Sequence, residues 1–177
     1  MVDLSLSLNL ASLVIALTAL GVSVFLARRQ LRLAAGGNHL PVVLNSFKET
    51  RSQEFFEAHE FVLSVLPVEH HAELGYRQLP EPAKTHVRTV GLFYDDLGKL
   101  VAHDVISERL VIGSYGTAIA RAWEALGPYV YRERERNRSN FWVYLEDLAA
   151  RIDALPSRTV HAELGLKKLP PVNPPGP

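Results

Sequence analysis

The stretch AKTHVRTVGLFYDDLGKLVAH, residues 83–103, decides the fold class. Val87, Val90, Tyr94, Leu97 and Val101 recur in it at steps of three and four, the spacing that stacks apolar side chains on one face of a helix. The same period extends outward in both directions. Upstream, Phe47, Phe55, Ala58, Val62 and Val65 predict a helix over 42–66 that Pro67 ends. Downstream, Ile112, Tyr115, Ile119, Trp123 and Leu126 predict one over 107–131, broken or kinked at Gly127-Pro128. Phe141, Leu145, Leu148 and Ile152 predict a last helix over 140–155. No period-two run exceeds four residues, so the expected fold is all-α, a bundle of four to five helices.

A different pattern precedes the bundle. From Leu4 to Leu26 the chain carries no charge for 23 residues, enough for a helix to cross the ~30 Å hydrocarbon layer at ~1.5 Å per residue. Arg28, Arg29 and Arg32 follow at once, so these arginines are the expected membrane-interface residues. The positive-inside rule then predicts a single-pass anchor in the cell inner membrane, its N-terminus outside and its C-terminal part cytoplasmic. A cleaved signal would place basic residues before the apolar run, not after it. Leu6, Leu10, Leu13, Leu17, Leu20, Val24 and Ala27 trace a coiled-coil seam, and Ala19, Ser23 and Ala27 a small-residue ladder. Homo-oligomerisation through the anchor is a further expectation.

These elements divide the chain into an anchor with its basic flank (1–35), a linker (36–40) containing Gly36-Gly37, a helical cytoplasmic domain (41–155) and a proline-rich tail (156–177). Prolines 156, 170, 171, 174, 175 and 177 predict that the tail is largely disordered or polyproline-like. A chain of 177 residues holds one such domain and no more beside the anchor. Cysteine is absent, which excludes disulfides, thiolate metal sites and a cysteine nucleophile. Formal charge is zero, with 19 basic and 19 acidic residues, which argues against nucleic acid as a partner.

The segments FFEAHEFVLSVL (55–66), GLFYDDLGKLVAHDVIS (91–107), AWEALGPYVYRERER (122–136) and FWVYLEDLA (141–149) carry a resemblance. With the N-terminal apolar run, they resemble a bacterial family of unknown function whose members have one N-terminal anchor and a small helical cytoplasmic domain. The resemblance covers roughly 1–152. It implies architecture, and no catalytic residues.

Three constellations remain to be weighed. His103-Asp104, with His70, His71 or His86 upstream and Asp147 or Asp153 downstream, resembles the metal-binding pair of HD-type phosphohydrolases. The Leu-Gly-Lys that often continues that pair follows Asp95-Asp96 here, a departure that exchanges imidazole for carboxylate. His70-His71 lacks the helical spacing of a metal pair, so neither metal nor cofactor is expected. Arg132, Arg134, Arg136 and Arg138 alternate with Glu133, Glu135 and Asn137, and Arg132 and Arg136 share a helical face. Tyr129, Tyr131 and Trp142 stand nearby, and with Arg132 and Arg136 they are the candidate contacts for a partner or a lipid headgroup.

Finally, HAELGYRQLP (71–80) returns as HAELGLKKLP (161–170), identical at seven of ten positions. In both, a left-handed cap at Gly75 or Gly165 would end a helix before Leu-Pro. The flanks do not match, so no domain is duplicated. The tail copy is a candidate mimic of the inner one. The favoured reading is a membrane-tethered cytoplasmic helical interaction, scaffold or accessory protein without intrinsic catalysis, whose partners are the lipid bilayer and an unidentified protein. The alternatives are a metal-dependent phosphohydrolase using His103 and Asp104, and a sensor of anionic membrane surfaces.

Overall fold

The computed structural model describes residues 12–13, 15–28, 40–167 and 169. The chain divides into two units, Met1–Ser46 and Phe47–Pro177. In the first unit, residues 12–13 and 15–28 are helical with exposed side chains. Among the described residues, no helix is long and apolar enough to cross a membrane. Residues 4–11 and 14 of the expected span, Arg29 and Arg32 of its flank, and positions 36–39 of the linker lie outside the described residues.

The described elements are α1 (Leu40–Glu49), α2 (Gln53–Glu60), α3 (Leu66–Glu69), α4 (Ala83–Ala102), α5 (Glu108–Asn137), α6 (Val143–Ala154) and α7 (Ser157–Glu163). No strand occurs among the described residues, so the fold is all-helical. In the second unit, α4 buries Val87, Val90, Tyr94, Leu97 and Val101 as its period requires. Ile112, Ile119 and Leu126 of α5 meet Leu145, Leu148 and Ile152 of α6 in the same core. Phe55, Ala58, Val62 and Leu66 close it from the N-terminal side.

Four boundaries differ from those the sequence predicts, each for a local reason. The helix expected over 42–66 is two helices, because the Ser52 hydroxyl accepts the Phe55 N–H at 3.1 Å and caps a fresh start. Pro67 does not end the second of them. Phe61–Val65 forms a π-turn in which the Leu66 N–H reaches back five residues to Phe61 O, and α3 follows without a gap. The wider turn relieves the clash a proline ring makes with the carbonyl four residues earlier. Pro128 likewise stands inside α5, a single helix of about 45 Å. Pro128 and Glu124 both lie on its exposed face, where water can take the carbonyl that the proline leaves without a donor.

The fourth difference concerns the expected tail. Ser157–Glu163 is a helix, not the start of a disordered segment, because its side chains have specific seats on α5. Ser157 donates to Ile112 O at 2.9 Å, Val160 is buried, His161 Nε2 lies 2.7 Å from Gly113 O and Glu163 pairs with Arg109. The run 170–177 lies outside the described residues.

Candidate functional site

The polar residues with most promise for chemistry are bound into the scaffold. Asp95 is nearly fully buried, and its Oδ1 accepts the backbone N–H groups of Tyr144 and Leu145, both at 3.1 Å. These are donors of the first turn of α6, which has no cap of its own because Trp142 adopts a left-handed conformation and offers no side-chain acceptor. A carboxylate at a helix N-terminus is favoured by both hydrogen bonding and the helix dipole. Gly91 and Gly98 flank Asp95 on the same face of α4. A Cβ at Gly91 would collide with the Trp142 indole, and one at Gly98 with Tyr144 O. DDLGK is therefore a docking stripe for α6, with Lys99 spanning Asp95 and Asp96 at 3.0 and 2.8 Å.

His103 and Asp104 are exposed at the C-terminal end of α4, and His103 lies against the Tyr144 ring at 5.9 Å. No group of three or more His, Cys, Asp or Glu residues suited to a metal occurs among the described residues. Asp147, a candidate downstream ligand, is bound by Arg151 at 2.7 Å.

Tyr129 is buried, and its hydroxyl donates to His70 O at 2.6 Å and Leu66 O at 3.0 Å, tying α5 to both ends of α3. Burial raises its pKa, and it raises that of Tyr94, the largest fully buried side chain, far more. Trp142 is buried against Gly91 and stacks on Phe141 at 4.3 Å. Both were expected as partner contacts and are core instead, Tyr129 held by its hydroxyl bonds to Leu66 O and His70 O and Trp142 seated where Gly91 has no Cβ. Arg132 reaches Glu73 O and Glu135, and Arg136 donates to Leu74 O at 2.6 Å. Between them Glu133, only 2% exposed, accepts the Arg77 N–H at 3.1 Å, meets Arg77 Nε at 3.0 Å and takes the Asn137 amide at 2.5 Å. The arginine-rich run is thus largely the seat of residues 73–77. The alternation with acids that suggested a surface patch could not reveal this, because only the fold brings 73–77 across it.

A groove of about 680 Å³ lies open between α5 and α6. Its floor is made by small side chains, Gly116, Ala120 and Ala149 among them. At one end Trp123 lies edge to face with Tyr131 at 5.7 Å. Tyr131 is 48% exposed, donates to Glu146 Oε1 at 2.6 Å and lies under the Arg134 guanidinium at 5.7 Å. Burial pushes the Glu146 carboxyl up, but hydrogen bonds from Tyr131 and Arg134 outweigh it and leave Glu146 below the usual carboxylate range. Glu124 and Asp153 complete an acidic rim on which Arg121 is the counter-charge. Of the sequence-predicted contacts only Tyr131 lines this groove. Trp123, expected inward, is half-buried and was missed as a surface residue because its position fits the apolar period of α5.

The model of a family described as a domain of unknown function, DUF4760, matches residues 7–152, which include α1 to α5 and most of α6 and stop short of α7. No curated protein and no solved structure matches the chain. With a match over most of its length, the chain belongs to the DUF4760 family.

Proposed function

We propose that the protein is a membrane-tethered helical interaction module without intrinsic catalysis, and that it works through the α5–α6 groove. The observation that carries this reading is the groove itself: a channel with a small-residue floor, an exposed tyrosine and a half-buried tryptophan at one end, and carboxylates on the rim. Aromatic residues beside small ones are what peptide-binding grooves offer, and contiguous exposed apolar surface marks a contact site. The carboxylates that could have served an enzyme, Asp95 and Glu133, are occupied by backbone N–H groups.

The tether rests on the 23 uncharged residues from Leu4 to Leu26 and the arginines after them. Leu17, Leu20 and Phe25 are more than half exposed, apolar surface that a bilayer would cover. The arginine-rich run supports a lipid sensor less well, since Arg132, Arg134 and Arg136 donate to Glu73 O, Phe141 O and Leu74 O.

Two measurements test the reading. The full chain should remain with membranes through alkaline carbonate extraction, and a chain beginning at residue 40 should not. A photo-crosslinking amino acid in place of Thr117, on the groove, should give a discrete adduct in cells, whereas the same group in place of Arg88 should not. Equal adducts, or none, would remove the groove from the proposal.

A further inference from the structure

We infer that α7 is a displaceable strap: it covers one end of the α5–α6 groove in cis, opens alone about Leu155 and Pro156, and gives up its seat to a partner helix of its own pattern. The inference deepens the interaction reading and rests on it.

The seat is part of the groove. Gly116 lines the groove's floor, and Pro156 and Ser157 line its edge. Gly116 is also where α7 makes its closest approach, since a Cβ there would collide with Ser157 Oγ. One turn back toward the start of α5, Val160 Cγ1 lies 3.4 Å from where a Cβ of Gly113 would stand. The floor of the open groove therefore continues beneath α7. Its geometry asks for a particular helix: a small hydroxylated residue to reach Ile112 O at 2.9 Å, a branched apolar residue three positions on, and a ring nitrogen at the next position for Gly113 O at 2.7 Å. Ser157, Val160 and His161 supply these from α7, a spacing of three and four that puts them on one helical face.

The hold on α7 is light. Of its seven residues only Ser157 and Val160 are buried, whereas α6 buries Leu145, Leu148, Ala149 and Ile152. At its far end Arg109 pairs with Glu163, but the two side chains are 59% and 47% exposed, and such pairs contribute little. Beyond that pair a Schellman turn ends the helix: Gly165 donates to Ala162 O at 3.0 Å, Leu166 donates to His161 O at 3.1 Å, and Gly165 has φ +66°. Leu164, Leu166 and Leu169 follow it into solvent. The near end carries a hinge. Leu155 (φ −130°, ψ 82°) and Pro156 (φ −60°, ψ 146°) join α6 to α7 in non-helical backbone, so rotation there moves α7 and leaves α6 in place. The strap also lies beyond residues 7–152, the part of the chain that matches the family. Elements with few buried apolar contacts open at free energies well below that of global unfolding.

The chain contains no cysteine, so a single introduced thiol reports opening at its own position. In the full chain in detergent, the reaction of a thiol reagent with Val160→Cys is timed against that with Val130→Cys, the same substitution at a fully buried residue of α5. A strap that opens alone makes the thiol at position 160 react about 100-fold faster than the one at 130. The synthetic peptide PSRTVHAELGL, residues 156–166, is then added as the partner helix. By holding the seat while α7 is away, it should raise the rate at 160 further and saturably and leave that at 130 unchanged. The same peptide carrying Val160→Asp should do neither. Equal rates for the two thiols overturn the inference, because α7 would then open only with the bundle. A fast thiol at 160 that is indifferent to the peptide also overturns it, since the seat would take no helix but its own. So does a rate at 160 that varies with protein concentration in the absence of peptide, which would assign the seat to a second copy. The Thr117 crosslink separates this inference from the reading beneath it: a peptide effect without a discrete adduct removes the groove's partner in cells and spares the strap, and an adduct without a peptide effect does the reverse.

Discussion

The two copies of HAELG have nearly one sequence and two fates. The inner copy, His71 to Gly75, forms a 3-10 turn over Ala72–Leu74 whose carbonyls at Glu73 and Leu74 are taken by Arg132 and Arg136. The outer copy, His161 to Gly165, ends a true helix, and Leu164, Leu166 and Leu169 beyond its first residues are exposed. Even the shared glycine differs in meaning. Gly165 closes a Schellman turn where a Cβ would meet open space, whereas Gly75 has φ 66° and ψ 177°, a region only glycine occupies readily, under Glu133. The same five letters therefore fix a conformation only together with what lies against them, Glu133 and its neighbouring arginines in one case and Gly113 in the other.

The largest expected break in that comparison is at the leucines that follow. Leu79 is 3% exposed and Leu169 is 91% exposed. Leu79→Ala should cost about 2–5 kcal/mol in urea unfolding, and Leu169→Ala within about 0.5 kcal/mol. Equal losses would mean that the tail copy is packed as tightly as the inner one. Next come the glycines. Gly75→Ala sets a Cβ 3.3 Å from Glu133 Oε2 in a backbone region costing about 1–3 kcal/mol, so its midpoint should fall clearly below that of Gly165→Ala, which meets open space.

The histidines reverse the order. His161 is bonded to Gly113 O at 2.7 Å and His71 is exposed on the rim of a cavity of about 480 Å³. His161→Ala should lower stability by about 1 kcal/mol and raise amide exchange in α7, while His71→Ala should leave both near their starting values. The smallest effect is a background common to both copies. Burial lowers the pKa of His59, whose Nε2 has no hydrogen-bond partner, so the unfolded chain takes up its proton first as pH falls through about 6.5. Stability should decline on that acid side and be fully present above it. His59→Leu should flatten the slope between pH 7 and 5 in thermal melts of either parent, and an unchanged slope would assign it to another group.

The period of α4 was legible because all five of its spaced apolar residues are core, and α6 was legible for the same reason at Leu145, Leu148 and Ile152. The prolines were misleading. Their cost is local, and a π-turn at Pro67 or an exposed carbonyl before Pro128 relieves it without leaving a mark in composition. Asp95 carried a signal that a motif comparison obscured. An acid on the buried face of a helix, with glycines four residues before and three after it, is placed to receive the end of another helix, not a metal. Of the site, Tyr131 was found from its aromatic setting, but Tyr129 and Trp142 fit the same description. Burial alone separates them, and burial depends on the seat that Gly91 leaves for Trp142 and on α3, which the sequence period does not reach.

The cap that Asp95 supplies to α6 spans about fifty positions of chain. During synthesis α4 leaves the ribosome well before α6, so the acceptor for the first turn of α6 is already in place when its N–H groups emerge. An isolated fragment of residues 141–155 has no such acceptor and should fray from its N-terminus. The order of translation thus matches the order in which these two helices need each other, and a circular permutant that placed α6 ahead of α4 would have to hold its first turn uncapped until the rest of the chain arrived.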